Sequence, residues 1–141
     1  MTRAKVLAGS LAITFAIMRA YLHWSPNTDL HIAGYNVHHL FTGLVLLTLG
    51  GIPAVLLPST HAFALPAIAV FGVGLSLALD EWLYLIVTDG TNASYITPVS
   101  LWGGLAAVVG ASLYTLATGV IAQRVSKAGS AGTTTMRRGS P

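Results

Sequence analysis

Two adjacent acids, Asp80 and Glu81, lie inside an apolar stretch that runs from about residue 63 to residue 87. A stretch of this length is typical of a membrane-spanning helix, in which an aspartate at the centre costs about 2.5–3.5 kcal/mol or more. Another part of the chain must therefore offset these charges. Arg19, near the end of the first apolar stretch, is the cation best placed to do so.

The other ionisable residues of the apolar stretches fall at a similar depth. At 1.5 Å per residue, Asp80 lies about 10 Å and Arg19 about 7 Å from the outer ends of their helices. His39 lies on the same helix face as two glycines, whereas the residues that share a face with His38 are larger and mostly apolar. We therefore expect His39 to point inward and His38 toward lipid. Further along the first helix, His23 lies one turn beyond Arg19 on the same face.

Three kinds of chemistry fit this set of residues. A buried ion pair needs only Arg19 with Asp80 or Glu81, and intramembrane charges usually pair in this way. An acid/base site would use Asp80 or Glu81 as the general acid or base, Arg19 as the stabiliser of an anion and His39 as a proton partner. Burial raises the pKa of such a carboxyl group, and a nearby guanidinium lowers it.

A metal site is the third alternative, because histidine and carboxylate ligands suit zinc, iron or manganese. Adjacent residues on a helix diverge, so the site would draw on two helices. Its candidate ligands are His39, Asp80, Glu81, His38 and His23. The positive charge of Arg19 counts against this alternative.

The composition predicts an integral membrane protein. The 141 residues are 54% hydrophobic and 8% charged, whereas a soluble domain carries about 25% charged residues. There is no cysteine, which excludes disulfides and thiolate chemistry. The net charge of +3 comes with no base-reading motif, so we expect no nucleic-acid partner.

Four apolar stretches predict an all-α, antiparallel four-helix bundle, with helices at about residues 6–24, 37–57, 63–87 and 98–122. We take the first as a retained helix and not a cleaved signal peptide. Lysines and arginines precede the first stretch and follow the fourth, while the intervening outer loops carry Asp29 and Asp89. Positive-inside bias then places both termini in the cytoplasm of a multi-pass protein of the cell (inner) membrane.

We predict that the chain consists of a transmembrane domain over residues 1–124 and a basic Gly/Ser/Thr-rich tail over residues 125–141. We expect the tail to be disordered on its own. His31 and His61 are predicted to lie in loops. The aromatic residues expected at the outer membrane interface are Tyr21, Trp24, Tyr35, Tyr95 and Trp102.

Small residues predict where the helices approach each other closely. The third helix carries a stripe at four-residue spacing formed by Gly72, Ser76, Asp80, Tyr84 and Thr88. On the other helices the small residues are Ala8, Ala12, Ala16, Ala20, Gly43, Gly50, Gly103, Ala107 and Ala111. Gly74 is interpreted in the same way, as a packing residue.

Two motifs on neighbouring helices are His38-His39-Leu-Phe-Thr-Gly43 and Gly72-x-Gly-x-x-Leu-x-x-Asp80-Glu81. Together they resemble a family of small prokaryotic four-helix integral membrane proteins, over about half of the chain. The resemblance implies the bundle fold and implies that His38, His39, Asp80 and Glu81 belong to one site. It implies no activity, and the Gly/Ser/Thr-rich tail is not part of it.

Two functions follow as hypotheses. In the first, the helices enclose a polar pocket near the outer leaflet that binds a metal ion or a small or lipid-like molecule. In the second, the chain is an accessory subunit that stabilises a larger membrane complex or forms a homo-oligomer, and its charges are a structural ion pair. Conduction is the weaker expectation, since four helices leave little room for a pore.

Overall fold

The computed structural model describes residues 1–25, 31–32, 35–36 and 38–138, and only the backbone is described for residues 31–32, 35–36, 92 and 130–138. The helices are α1 (Thr2–Trp24), α2 (His39–Leu56), α3 (Ala64–Val87), the one-turn α4 (Asn92–Tyr95) and α5 (Pro98–Arg138). Two-residue strands β1 (His31–Ile32) and β2 (Tyr35–Asn36) pair in antiparallel fashion.

Apart from this pair of short strands, the regular structure of the described residues is helical, and the prediction of four long apolar helices is confirmed. α1, α2, α3 and α5 are each long and apolar enough to cross a membrane by length and composition. α1 begins earlier than expected, and His31 lies in a strand where a loop was predicted. Residue 37, the predicted start of the second helix, lies outside the described residues, as do Asp29 and the side chain of Tyr35.

The last helix is longer than predicted. α5 continues to Arg138, past the expected end at residue 122, and at 1.5 Å per residue it spans about 60 Å. No proline interrupts the chain between Pro98 and Pro141, so no residue in the basic segment removes a helical N–H. The tail, which was expected to be disordered, therefore has a helical backbone as far as Arg138.

α3 is the central helix, because it packs against α1, α2 and α5, and α1 also packs against α5. Within the described chain, α2 and α5 do not pack on each other, so the four helices do not close into a ring. The predicted stripe on α3 is buried at Gly72, Ser76, Asp80 and Tyr84.

Glycines set the distance between α2 and α3. A Cβ on Gly74 would lie 2.6 Å from the carbonyl oxygen of Gly43, and a Cβ on Gly43 would lie 2.7 Å from the carbonyl oxygen of Gly74. Gly50 meets the backbone of α3 at Ala67 in the same way, at 2.7 Å. Since real Cβ atoms do not approach so closely, these positions require glycine for the observed packing.

Of the four alanines predicted to form the close-packing face of α1, one is buried and three are not. Ala12, Ala16 and Ala20 are exposed, and the buried residues of this helix are Ala8 and Leu11. The carbonyl oxygen of Leu11 accepts a hydrogen bond from the buried hydroxyl of Ser76 at 2.9 Å. This contact turns the Leu11 face toward α3, and it rotates the alanine stripe away from the interface.

Candidate functional site: a buried ionic cluster

Arg19 and Asp80 form an ion pair between α1 and α3. The guanidinium Nη2 lies 2.6 Å from Asp80 Oδ1, and Nε donates to the same oxygen at 2.8 Å. The side chain of Asp80 is 1% exposed and that of Arg19 is 12% exposed. The pair expected from the sequence is therefore present and almost fully removed from solvent.

The remaining donors of Arg19 hold the start of α5 and the short α4. Nη1 donates to the carbonyl oxygen of Tyr95 at 3.2 Å, and Nη2 donates to the carbonyl oxygen of Ser100 at 3.0 Å and to its hydroxyl at 3.2 Å. The guanidinium also lies over the Tyr95 ring, 4.4 Å from its centroid, and 5.5 Å from that of Phe15. One cation thus links α1 to three other helices.

Glu81 points to the beginning of α2. Its Oε2 accepts a hydrogen bond of 2.7 Å from the backbone N–H of Leu40, in the first turn of that helix. A helix N-terminus has unpaired N–H groups and a partial positive charge, so a carboxylate there is stabilised. The turn of about 100° between adjacent helical residues explains why Glu81 meets α2 while Asp80 meets α1.

Both neighbouring histidines enter the cluster. His39 Nε2 lies 3.3 Å from Asp80 Oδ2, and His39 Nδ1 lies 3.1 Å from Glu81 Oε1. His38 Nδ1 lies 3.3 Å from the same Glu81 oxygen. The expectation that His38 faces lipid is therefore wrong, because as the residue preceding α2 its side chain is not bound to the helical periodicity used to place it. His39 bridges the two acids.

Tyr95 is a member of the cluster that the sequence analysis missed, since it was assigned to the aromatic belt. It is 6% exposed, and its hydroxyl donates to Asp80 Oδ2. Burial and the negative charge of Asp80 raise the pKa of Tyr95, so it remains a neutral donor. Its ring stacks edge-on against Tyr84 and His39.

The loop before α4 holds Tyr95 over the cluster. Asp89 Oδ1 accepts hydrogen bonds from the Thr91 backbone N–H at 3.2 Å, from the Thr91 hydroxyl at 2.9 Å and from the Ser94 hydroxyl. These hydrogen bonds lower the pKa of Asp89 below its usual value, and the bond from the Ser94 hydroxyl has the largest effect. The signal in the sequence was the Asp89-x-Thr91-x-x-Ser94 spacing, which is typical of a capped turn.

Gly104 is a second residue of the cluster that was not predicted from the sequence. A Cβ at this position on α5 would lie 2.7 Å from Asp80 Oδ1 and 3.0 Å from Arg19 Nη2. Only glycine therefore lets α5 lie directly against the ion pair. Gly103, which was predicted to be a packing residue, lies against the side chain of Leu83 on α3 and leaves no room for a Cβ.

The other three histidines of the sequence analysis are not seen in the cluster. His23 is exposed and takes no part in the contacts that the structure gives for the cluster. His61 lies in the α2–α3 loop, where its ring accepts a hydrogen bond from the Phe63 backbone N–H. The side chain of His31 is outside the described residues.

The carboxylate oxygens of the cluster all have partners. Asp80 contacts Arg19, Tyr95 and His39, and Glu81 contacts Leu40, His38 and His39. Two buried carboxylates thus face one permanent cation, and the two histidines are the groups able to carry further positive charge. Within the described chain, no three His, Asp or Glu side chains are arranged to hold a metal ion.

The fold and the cluster together define a class: a helical protein with four long helices able to cross a membrane, and an ionic cluster buried where these four helices meet the short α4. Comparisons of the chain with protein-family models, with curated proteins and with solved structures found no match. The roles of the cluster residues therefore rest on their geometry.

Proposed function

We propose that this chain is a multi-pass protein of the cell membrane, with both termini in the cytoplasm, whose ionic cluster binds one proton near the opposite face and works as an acid/base centre. Asp80 and Glu81 are the acid/base groups, His39 carries the proton between them, and Arg19 fixes the charge of Asp80. His38, with a side chain 20% exposed, connects the cluster to the outer side.

The membrane setting is supported by the outward faces of the helices. Large apolar side chains are exposed along them, for example Val55 at 82%, Leu56 at 74% and Tyr114 at 72%. A water-soluble monomer rarely exposes apolar patches beyond a few hundred Å². Lipid is the solvent that such faces suit, and the Lys and Arg residues at one end favour the cytoplasmic side for the termini.

The charge balance of the cluster is the observation that carries the proposal. Asp80 and Glu81 bring two negative charges, and Arg19 brings one positive charge, in a space where uncompensated charge is costly. Both ring nitrogens of His39 lie within 3.3 Å of carboxylate oxygens. A doubly protonated ring satisfies both contacts, whereas a neutral ring would direct one lone pair at a carboxylate.

A metal ion is the other cation named from the sequence, and it suits the geometry less well. The guanidinium of Arg19 lies 2.6 Å from Asp80 Oδ1, and its positive charge would repel a metal ion at the same carboxylate. Both ring nitrogens of His39 point at carboxylate oxygens. The ring and the carboxylates therefore do not point together at one position where a metal ion could bind. Zinc, iron and manganese remain a prediction that elemental analysis of the purified protein tests.

The experiment is to find the bound proton in the full-length protein, purified in detergent and labelled with ¹⁵N-histidine. The ring signals of His39 are identified by their loss in His39→Gln. We expect both of its ring nitrogens to be protonated in the folded protein, because each lies beside a carboxylate oxygen. In Glu81→Gln, which removes one negative charge, we expect the ring to become neutral.

The control is Asp89→Asn, which removes a carboxylate outside the cluster and should leave the His39 signals unchanged. Infrared spectra of the same samples would detect a protonated carboxyl group. If neither histidine nor either acid carries a proton, the proposal fails. It also fails if the protein holds one transition metal per chain that His39→Gln removes, because the compensating cation is then the metal.

A second candidate is a structural role in an accessory subunit of a larger membrane complex. The observation that favours it is the full pairing of both carboxylates, which suits a cluster that only ties helices together. Asp80→Asn separates the two candidates: loss of folding favours the structural role, and a folded protein that no longer holds the proton favours the acid/base centre. A solitary particle after low-salt extraction in mild detergent would count against the subunit.

A further inference from the structure

A second feature lies at the opposite end of the molecule from the cluster. Because α2 and α5 do not pack on each other, a groove of about 950 Å³ opens between them, with α1 and α3 at its base. It is lined by the first residues of α1 and α3, the last turns of α2 and the middle of α5. This volume is at the upper end of the roughly 300–1,000 Å³ typical of ligand pockets.

The lining of the groove is mostly apolar and carries a smaller number of polar groups. Leu7, Ile68 and Phe71 supply apolar surface, whereas Arg3 and Gln123 bring polar groups. Among the residues that the structure describes, no carboxylate lines the groove. The groove therefore matches a ligand with a long apolar part and an anionic end.

Arg3 is placed to receive the anionic end. Its Nη2 donates to the carbonyl oxygen of Ala54, in the last turn of α2, at 2.8 Å, and this holds the side chain across the groove. A guanidinium has five N–H donors, so one such bond does not exhaust it. Six of the seven Lys and Arg residues of the chain are at this end, and they are Arg3, Lys5, Arg124, Lys127, Arg137 and Arg138.

We propose that this groove binds an anionic phospholipid, with an acyl chain between α2 and α5 and its phosphate at Arg3. Anionic lipids are concentrated in the cytoplasmic leaflet, and each Lys or Arg near them contributes a favourable interaction. The match between leaflet and groove rests on the membrane orientation proposed above. The site is separate from the ionic cluster, and it can be tested in detergent, where orientation plays no part.

The test is native mass spectrometry of the full chain in detergent, titrated with phosphatidylglycerol or with zwitterionic phosphatidylcholine. We expect one phosphatidylglycerol to bind about five-fold more tightly than phosphatidylcholine, the ratio that one arginine contact supplies. Arg3→Gln should remove this preference. Its matched control, Arg124→Gln, removes a charge at the same end that does not line the groove, and should retain the preference.

A second pair of variants tests the acyl-chain part. Ala122→Phe fills the groove from an exposed position on α5, and it should weaken both lipids, whereas Ala117→Phe, exposed on the same helix but outside the lining, should not. Circular dichroism checks that all four variants keep their helical content. Equal affinity for the two lipids, equal effects of Arg3→Gln and Arg124→Gln, or full competition by free glycerol phosphate would each overturn the proposal. None of these results bears on the proton in the cluster.

Discussion

The Arg19–Asp80 pair gives the most direct test of the cluster, through Arg19→Met. This substitution keeps an unbranched apolar side chain of similar reach and removes the guanidinium. Asp80 and Glu81 are then left with no permanent cation in a site where their side chains are 1% and 4% exposed. The carbonyl oxygens of Tyr95 and Ser100 lose a donor as well.

The expected loss of stability can be worked from this geometry. Two unit charges about 4 Å apart interact by about 4 kcal/mol at an effective dielectric constant of 20. Removing one partner of a buried pair costs about 3–5 kcal/mol in measured cases, because the other charge is left uncompensated. We therefore expect Arg19→Met to cost about 3–5 kcal/mol, which is a large part of a typical free energy of unfolding of about 5–15 kcal/mol.

The assay is reversible unfolding in mixed detergent micelles, followed by circular dichroism, as a double-mutant cycle with Asp80→Asn. Since the second substitution removes the charge that the first leaves unpaired, the double variant should cost about 2–3 kcal/mol less than the sum of the two single variants. Arg124→Met, on the exposed part of α5, should stay within about 0.5 kcal/mol. Simple additivity of the two single effects would refute the reasoning.

Three further substitutions test the surroundings of the pair. Gly104→Ala, whose Cβ would lie 2.7 Å from Asp80 Oδ1, should cost about 1–3 kcal/mol by the same unfolding assay, while Gly110→Ala on the same helix, with no atom within 4 Å, should be neutral or stabilising by up to about 1 kcal/mol. Tyr95→Phe should cost about 1.5–3 kcal/mol, because the carboxylate of Asp80 loses a hydroxyl donor; no change in the unfolding midpoint would contradict this. Asp89 has a lowered pKa in the folded state, so its contribution to stability is present at neutral pH and is lost as the pH falls below about 4. Melting temperatures measured from pH 6 to pH 3 should therefore fall less steeply in Asp89→Asn than in the unsubstituted protein. Identical slopes would show that ionised Asp89 does not stabilise the fold.

The four long apolar helices and their approximate bounds could be predicted because they depend on local composition. A run of apolar residues about 20 long specifies a spanning helix wherever it packs. The positions of Asp80 and Arg19 along their helices follow from the same local geometry, since the rise per residue is constant along a helix. The need for a compensating partner is also a local property, because the cost of a carboxylate in an apolar medium does not depend on the fold.

The rotation of each helix and the path of each loop were decided by the tertiary structure. The alanine stripe of α1 predicted one face, and the contact between Leu11 and Ser76 turned another face inward. The pattern of small residues predicted close packing at Gly103, but it did not predict that the neighbouring Gly104 lies against the ion pair.

The sequence by itself determined that two acids and one arginine would need each other inside an apolar protein. The tertiary structure decided that Tyr95 closes the cluster from a short loop helix, and that Glu81 faces the first turn of α2 beside both histidines. The physical reason is that charge and hydropathy belong to single residues. Which partners meet depends on how side chains of separate elements pack, and no local spacing specifies that.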